Sequence, residues 1–243
     1  MQVLPGVSVR DHGVLEDTLA EISVCGFEAE SVTVERKARW KRQFPHTKFV
    51  QAVNVVQRFR RQKSPEELLL MRRAKRVTEE LLRRVPAALR KGVTERELAQ
   101  KLLLWALELG AEGLAFEPIV AFGTHTSRPH HAPTLRALRK GHIVQIDVGA
   151  RVRGYCADAS EVFFTSPLSR EQERIYRALH AAKDAAATAL RPGVTTHALD
   201  RIARKVLDRE GLEEAFCHAL GHGIGLEVHE GVTLTQKCPA AML

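Results

Sequence analysis

A ten-residue stretch occurs twice in related form. Residues 89–98 read LRKGVTEREL and residues 190–199 read LRPGVTTHAL, an offset of 101. In both copies a helical pattern precedes the Gly-Val-Thr turn and another follows it. Each copy then runs into an apolar segment, FEPIVAFG at 116–123 and FCHALGHG at 216–223. A unit repeated at this distance predicts a duplicated structure with an approximate symmetry axis. Sites formed between two such halves are a common place for chemistry.

Local signals mark where the elements begin. In KSPEE (63–67) Ser64 is a good N-cap, Pro65 suits the first helical position and Glu67 completes a capping box. Thr94 with Glu97 opens a second helix, running to about Gly110. Ser169 with Gln172 opens a third, to about Leu190, and a fourth after Thr195 carries Leu199, Ile202, Ala203 and Val206 and stops near Gly211. The KSPEE boundary divides the chain into a partial N-terminal α/β domain, 1–62, and a larger domain, 63–243. Residues 14–60 hold two or three helical patterns and one strand candidate, Lys48 to Ala52. That is little material for a well-filled independent core.

The run from Gly141 to Phe164, GHIVQIDVGARVRGYCADASEVFF, places Asp147 and Asp158 eleven positions apart. Val, Ile, Tyr and Phe around glycines predict two strands joined as a hairpin, with one aspartate on each. Asp147 ends an apolar alternation of Ile143, Val144, Ile146 and Val148, where an ionised carboxylate is expensive without partners. Two carboxylates brought together share either a proton or a cation. On spacing alone the alternative stays open that Asp158 caps a turn and Asp147 faces water.

Composition bounds the partners. The net charge of +8 and pI near 9.6 would permit nucleic-acid contact, but the basic residues lie mainly on helical segments mixed with glutamate, as in RRAKRVTEELLRR at 72–84. A solvated helix face accounts for that, so no nucleic-acid partner is expected. No apolar run reaches the roughly 20 residues of a membrane span, and MQVLPGVSVRDHG lacks the order of a signal peptide. The cysteines, Cys25, Cys156, Cys217 and Cys238, form no CxxC pair, which predicts a reduced, cytoplasmic setting.

Histidines join the aspartates. His218, His222 and His229 fall within CHALGHGIGLEVHEG, and RPHHAP (128–133) puts His130 seventeen positions before Asp147. Gly221, Gly223 and Gly225 would let the backbone approach a ligand closely or take unusual dihedrals. Imidazoles beside a spaced aspartate pair point to a metal-dependent site, and oxygen donors with an imidazole favour manganese, cobalt, iron or zinc over a thiolate-type centre.

The segment RPHHAPTLRALRKGHIVQIDVGARVRGYCADAS followed by GHGIGLEVHEG resembles the Xaa-Pro peptidase group of the methionine-aminopeptidase-like, pita-bread metallopeptidases. The resemblance covers roughly residues 64–243, and residues 14–60 look like the end of that group's N-terminal domain. It implies the α+β class, a pita-bread fold with a pseudo-two-fold repeat, and hydrolysis of peptides with proline in second position by two divalent ions. Manganese is the first choice of ion, with cobalt, zinc or iron as others. Asp147, Asp158 and His222 match metal ligands, and His130, His218 and His229 match substrate-binding and proton-handling histidines. A homodimer is the oligomer considered.

Three departures stand against the pattern. Ser160, Glu161 and Val162 occupy the place of a Thr-Arg-Thr-like run, and His142 replaces an acidic residue. The family also completes its two-metal site with two glutamates on strands beyond the HEG motif, and this chain stops at Leu243 before any such strands. The expectation is therefore a fold without its last strands and a 243-residue chain with little or no peptidase activity. The alternative is a pita-bread domain that binds peptides or a protein without turnover.

Overall fold

A computed structural model describes residues 22–243; the part of the N-terminal reading that falls on 14–21 lies outside them. The chain divides into two compact units, Met1–Phe59 and Arg60–Leu243.

In the first unit the strands β1 (Val24–Phe27) and β2 (Lys48–Gln51) pair in parallel, joined by the helix α1 (Val34–Gln43). Thr33 caps that helix through its hydroxyl, and Trp40 on it stacks on Phe49 with ring centroids 5.6 Å apart. A short helix, α2 (Val55–Arg61), ends at the start of the second unit.

Four longer helices follow: α3 (Pro65–Ala88), α4 (Glu95–Glu108), α5 (Arg170–Ala189) and α6 (Thr196–Arg209). The first three begin with reciprocal capping boxes, Ser64–Glu67, Thr94–Glu97 and Ser169–Gln172, and Thr195 caps α6. Each box satisfies two backbone donors that a helix start otherwise strands. Along α3 the buried positions are Ala74, Thr78, Leu81, Val85 and Ala88, one stripe at helical spacing. Thr78 makes that stripe specific: its hydroxyl donates to the Ala74 carbonyl (3.0 Å) and accepts from the Ala150 N–H (2.9 Å).

The strands β4 (Ile119–Phe122), β5 (Ile143–Val148) and β8 (Ala159–Phe164) form an antiparallel sheet with β5 in the middle. Val144, Ile146 and Val148 are buried against Leu81, Leu98, Leu102 and Phe122, while Ile143, Gln145 and Asp147 face the other way. The expected hairpin is more elaborate than its sequence suggests. Between β5 and β8 the chain makes β6 (Ala150–Val152) and β7 (Tyr155–Cys156), which leave for a separate sheet with β3 (Gly113–Leu114). Asp158 consequently sits one residue ahead of β8, at the bend where the chain returns, and not on the strand.

The repeat is a duplicated hydrogen-bond pattern. In the first copy Gly92 N–H donates to Leu138, Leu138 N–H to Val93, and Glu95 N–H to Arg136. In the second, Gly193 donates to Leu243, Leu243 to Val194, and Thr196 to Ala241. Bridges Thr94–Ala137 and Thr195–Met242 complete the match. The turns differ by 101 positions and their partners by 105, so the second intervening segment is four residues longer. Its core is also smaller: Ala178, Ala182 and Ala186 on α5 meet Ala203 and Leu207 on α6. Among the described residues no helix is long and apolar enough to cross a membrane.

Candidate functional site

Gly149 decides how closely the two aspartates approach. A Cβ there would lie 1.7 Å from the Ala157 carbonyl oxygen, so only glycine lets the outgoing and returning segments cross. The Ala157 N–H donates to Ala150 and fixes the crossing (2.9 Å). Asp147, opposite Ile119 on β4 and Ser160 on β8, points away from the core into the space that this crossing leaves. One of its oxygens, Oδ1, is buried without a hydrogen-bond partner. Burial, and then the neighbouring Asp147 charge, push the Asp158 carboxyl up to about 6, with His222 pulling the other way.

His222 reaches this pair from the glycine-rich loop. It lies on β9 (Gly221–His222), which pairs with β10 (Thr233–Leu234), and its Nε2 stands 3.3 Å from Asp158 Oδ2. Its ring meets that of His229 edge to face, with centroids 4.1 Å apart. Burial first, then the charges of His222 and His130, hold the His229 pKa below the usual imidazole range. Asp147, Asp158, His130 and His229 line a cavity of about 370 Å³ whose other walls include Phe116, Pro118, Ile119, Pro133 and Val228.

The structure thus brings Asp147, Asp158, His222, His229 and His130 to one region. His218 is not among the residues lining the cavity. It is exposed, its Nδ1 faces the Ala219 carbonyl at 2.7 Å and its ring packs on Phe216. At the departures, Glu161 accepts a hydrogen bond from the N–H of Val162, and His142 Nδ1 accepts from Arg139 N–H.

Sequence reasoning passed over a second cluster. Glu95 on α4 is fully buried, and ligand atoms of Glu95, His125 and His131 lie within 4.8 Å of one another, close enough to hold a metal ion. Yet both carboxylate oxygens already have donors. Oε1 accepts from Phe122 N–H (2.9 Å) and faces His125 Nδ1 (2.8 Å); Oε2 accepts from Thr134 N–H (3.0 Å) and hydroxyl (2.6 Å) and faces His131 Nε2 (2.9 Å). Burial by itself would raise this carboxyl, but the bonds from Thr134, His131 and Phe122 outweigh it and hold the pKa at about 2. Five groups from 122–134 converge on one charge, and that segment carries His130. The signal was in the repeat: Glu95 aligns with Thr196, whose hydroxyl takes one backbone donor, from Ala241.

Residues 69–242 match the model of Metallopeptidase family M24. The chain belongs to this family. An X-Pro aminopeptidase from Thermotoga maritima is 32% identical and superposes with a TM-score of 0.86 over 94% of this chain and 66% of that one. The prolidase from Pyrococcus furiosus is 27% identical, with a TM-score of 0.89 over 98% of this chain and 69% of its own. An uncharacterized peptidase of Staphylococcus aureus, SAS1635, is 30% identical over 84% of this chain. The fold is therefore the pita-bread fold of these metallopeptidases. The chain spans 58% of the length of the Staphylococcus aureus peptidase and 59% of the length of another relative, YkvY of Bacillus subtilis.

Proposed function

We propose that this chain forms the metal-binding part of a hydrolase that cleaves the peptide bond preceding proline, as an Xaa-Pro aminopeptidase or dipeptidase. The observation that carries the reading is the Asp147–Asp158–His222 group, with an orphaned carboxylate oxygen and a second carboxyl pushed up to about 6. Two neighbouring acids, one with a buried oxygen that lacks a donor and the other faced by a single imidazole, are a poor arrangement for a protein alone and a good one for a divalent cation. Oxygen donors with one imidazole suit manganese first, with cobalt, zinc and iron as alternatives.

Such ions, when bound, polarise a scissile carbonyl and make water acidic enough to attack it near neutral pH. The chain's residues have separable tasks. Asp147 and Asp158 supply the negative charge that holds the cations, and His222 adds a nitrogen beside them. His229, kept neutral by its surroundings, offers a ring N–H to an oxygen on which charge develops. His130 on the cavity wall receives the amine or the leaving group. The apolar walls around Phe116, Pro118, Ile119 and Val228 fit a pyrrolidine ring. The solved relatives named X-Pro aminopeptidase and prolidase support the choice of substrate. The four cysteines are free thiols, which supports a reducing compartment such as the cytoplasm.

The test measures manganese retention and hydrolysis of an Xaa-Pro against an Xaa-Ala dipeptide, using the whole reading frame that contains this chain. Proline-selective turnover, lost in Asp158→Ala, is expected; equal turnover of both dipeptides sinks the proline assignment. A second reading is a domain that binds peptides without turnover. It is favoured by Glu161, which puts a negative charge where the resemblance has an arginine. Saturable binding of the Xaa-Pro dipeptide with no cleavage by the manganese-loaded protein would select it.

A further inference from the structure

Two glycines of GHGIGLEVHEG, Gly223 and Gly225, make room for Glu230. A Cβ on Gly225 would stand 2.5 Å from Glu230 Oε1, and one on Gly223 would stand 2.1 Å from the Glu230 carbonyl oxygen. The loop is wound around this one residue: Glu230 N–H donates to Gly223 (2.9 Å), Gly225 N–H to Glu227 (3.0 Å), and Gly223 N–H to Val232 (2.7 Å). The side chain of Glu230 is 2% exposed. Its Oε2 accepts from Leu226 N–H (3.0 Å), Glu227 N–H (3.4 Å) and Arg60 Nη2 (2.5 Å), and its Oε1 accepts from Lys63 Nζ (2.8 Å). Arg61 holds the next carbonyl, that of Gly231, at 3.3 Å. Burial alone would push the Glu230 carboxyl up; Lys63 and Arg60 reverse this and hold it below the usual carboxylate range. The glutamate is therefore an ionised, enclosed hub with cations from 60–63.

What the hub holds is specific. The same eleven-residue loop presents His222 to Asp158 and His229 to the cavity, and the two rings touch. Gly225 also ties the loop to the aspartate segment, because its carbonyl accepts from the N–H of Cys156, two residues before Asp158 (2.8 Å). An enclosed anion whose donors come from the loop itself and from an outside segment sets the loop's shape and its place together. Neutralising it while keeping its size leaves Lys63 without its anion and Arg60 with only the exposed Glu227 (3.4 Å), which the loop relieves by opening.

We propose that Glu230, clasped by Arg60 and Lys63, is a positioning residue that sets the His222–His229 pair against Asp158. The importance of this placement for catalysis rests on the peptidase reading above; the placement itself does not. The test uses the 243-residue chain and its Glu230→Gln and Lys63→Met variants, free of metal and then titrated with manganese. Thermal unfolding first identifies the temperature at which each is folded, and proton NMR there reads the cross-ring contact between His222 and His229. Loss of that contact in folded Glu230→Gln is expected, with a smaller loss in Lys63→Met and no further loss in the double variant. Manganese affinity should fall about 10–100-fold, the usual effect of losing a group that orients a ligand. An intact ring contact in folded Glu230→Gln overturns the proposal, whatever happens to the melting temperature. If Glu230→Gln does not fold, Lys63→Met decides the matter by the same contact. A wild-type chain that shows the contact but binds no manganese overturns the metal reading and leaves the clasp standing.

Discussion

Two sites in this molecule bring buried carboxylates against imidazoles, and they behave oppositely. Glu95 is the more deeply enclosed, yet it is held at about 2, because hydrogen-bonding groups surround both its oxygens. Asp158 is less enclosed and is pushed up to about 6, by burial first and then by the charge of Asp147, another acid, one of whose oxygens has no donor. Donor supply, more than burial, separates the two. A carboxylate saturated with donors organises the protein around it, and a starved pair waits for a proton or a cation.

The largest test of that contrast removes the saturated carboxylate. Glu95→Ala strands five groups that now converge on it and should cost about 3–5 kcal/mol in denaturant unfolding, as for breaking a buried charge network. A loss below about 1 kcal/mol would mean that the 122–134 segment holds itself. Protection by manganese that survives Asp158→Ala and is lost in His125→Ala would instead show that this cluster takes an ion.

Gly149→Ala comes next. Its methyl group cannot coexist with the Ala157 carbonyl, so the crossing must open. The expected cost is about 1–3 kcal/mol, as for overpacking elsewhere. Manganese binding should weaken although no ligand has been removed. Unchanged manganese affinity, by calorimetry, would show that the aspartate pair does not depend on this close approach.

Asp158→Asn should have a small effect on stability, a loss of no more than about 1 kcal/mol in chelator, because it removes a repulsion along with a charge. It should nevertheless abolish manganese retention, measured by metal analysis after dialysis. A large loss of stability would place Asp158 with Glu95 as a structural acid.

The subtlest test is in pH. The Glu95 pKa lies below its ordinary 4.5, so its stabilisation is complete above 4.5 and is lost as pH falls towards 2. The Asp158 pKa lies above its ordinary 3.8, so the metal-free fold prefers the protonated acid and loses stability as pH rises from 3.8 through about 6. Unfolding curves in chelator should therefore flatten below 4.5 in Glu95→Gln and between 4 and 6 in Asp158→Asn. Identical profiles for wild type and both variants would refute the opposed shifts.

Helix starts were legible because capping is local: Ser64 and Glu67, Thr94 and Glu97, and Ser169 and Gln172 each satisfy one another three residues apart. The repeat was legible for a related reason. Its two turns carry their own geometry, and similar sequence made the same backbone bonds twice. The convergence of His222 on the aspartates followed from family resemblance, since no spacing rule joins positions 64 residues apart. Glu95 drew no notice in the sequence, because its partners lie 27 to 39 residues away. The loop glycines read as places of close backbone approach; what Gly223 and Gly225 approach is Glu230, whose cations come from 167 to 170 residues upstream.

What this sequence determined by itself, then, was its list of helices, its doubled architecture and the residue types of a candidate metal site. The tertiary structure decided which carboxylate would be saturated and which left wanting. It also put His218 outside the cavity lining and Asp158 at a bend beside Gly149. Those outcomes depend on how many donors distant segments deliver to one oxygen. That number is set when the chain packs, because a buried charge takes its character from every group the fold brings to it and not from its neighbours in sequence.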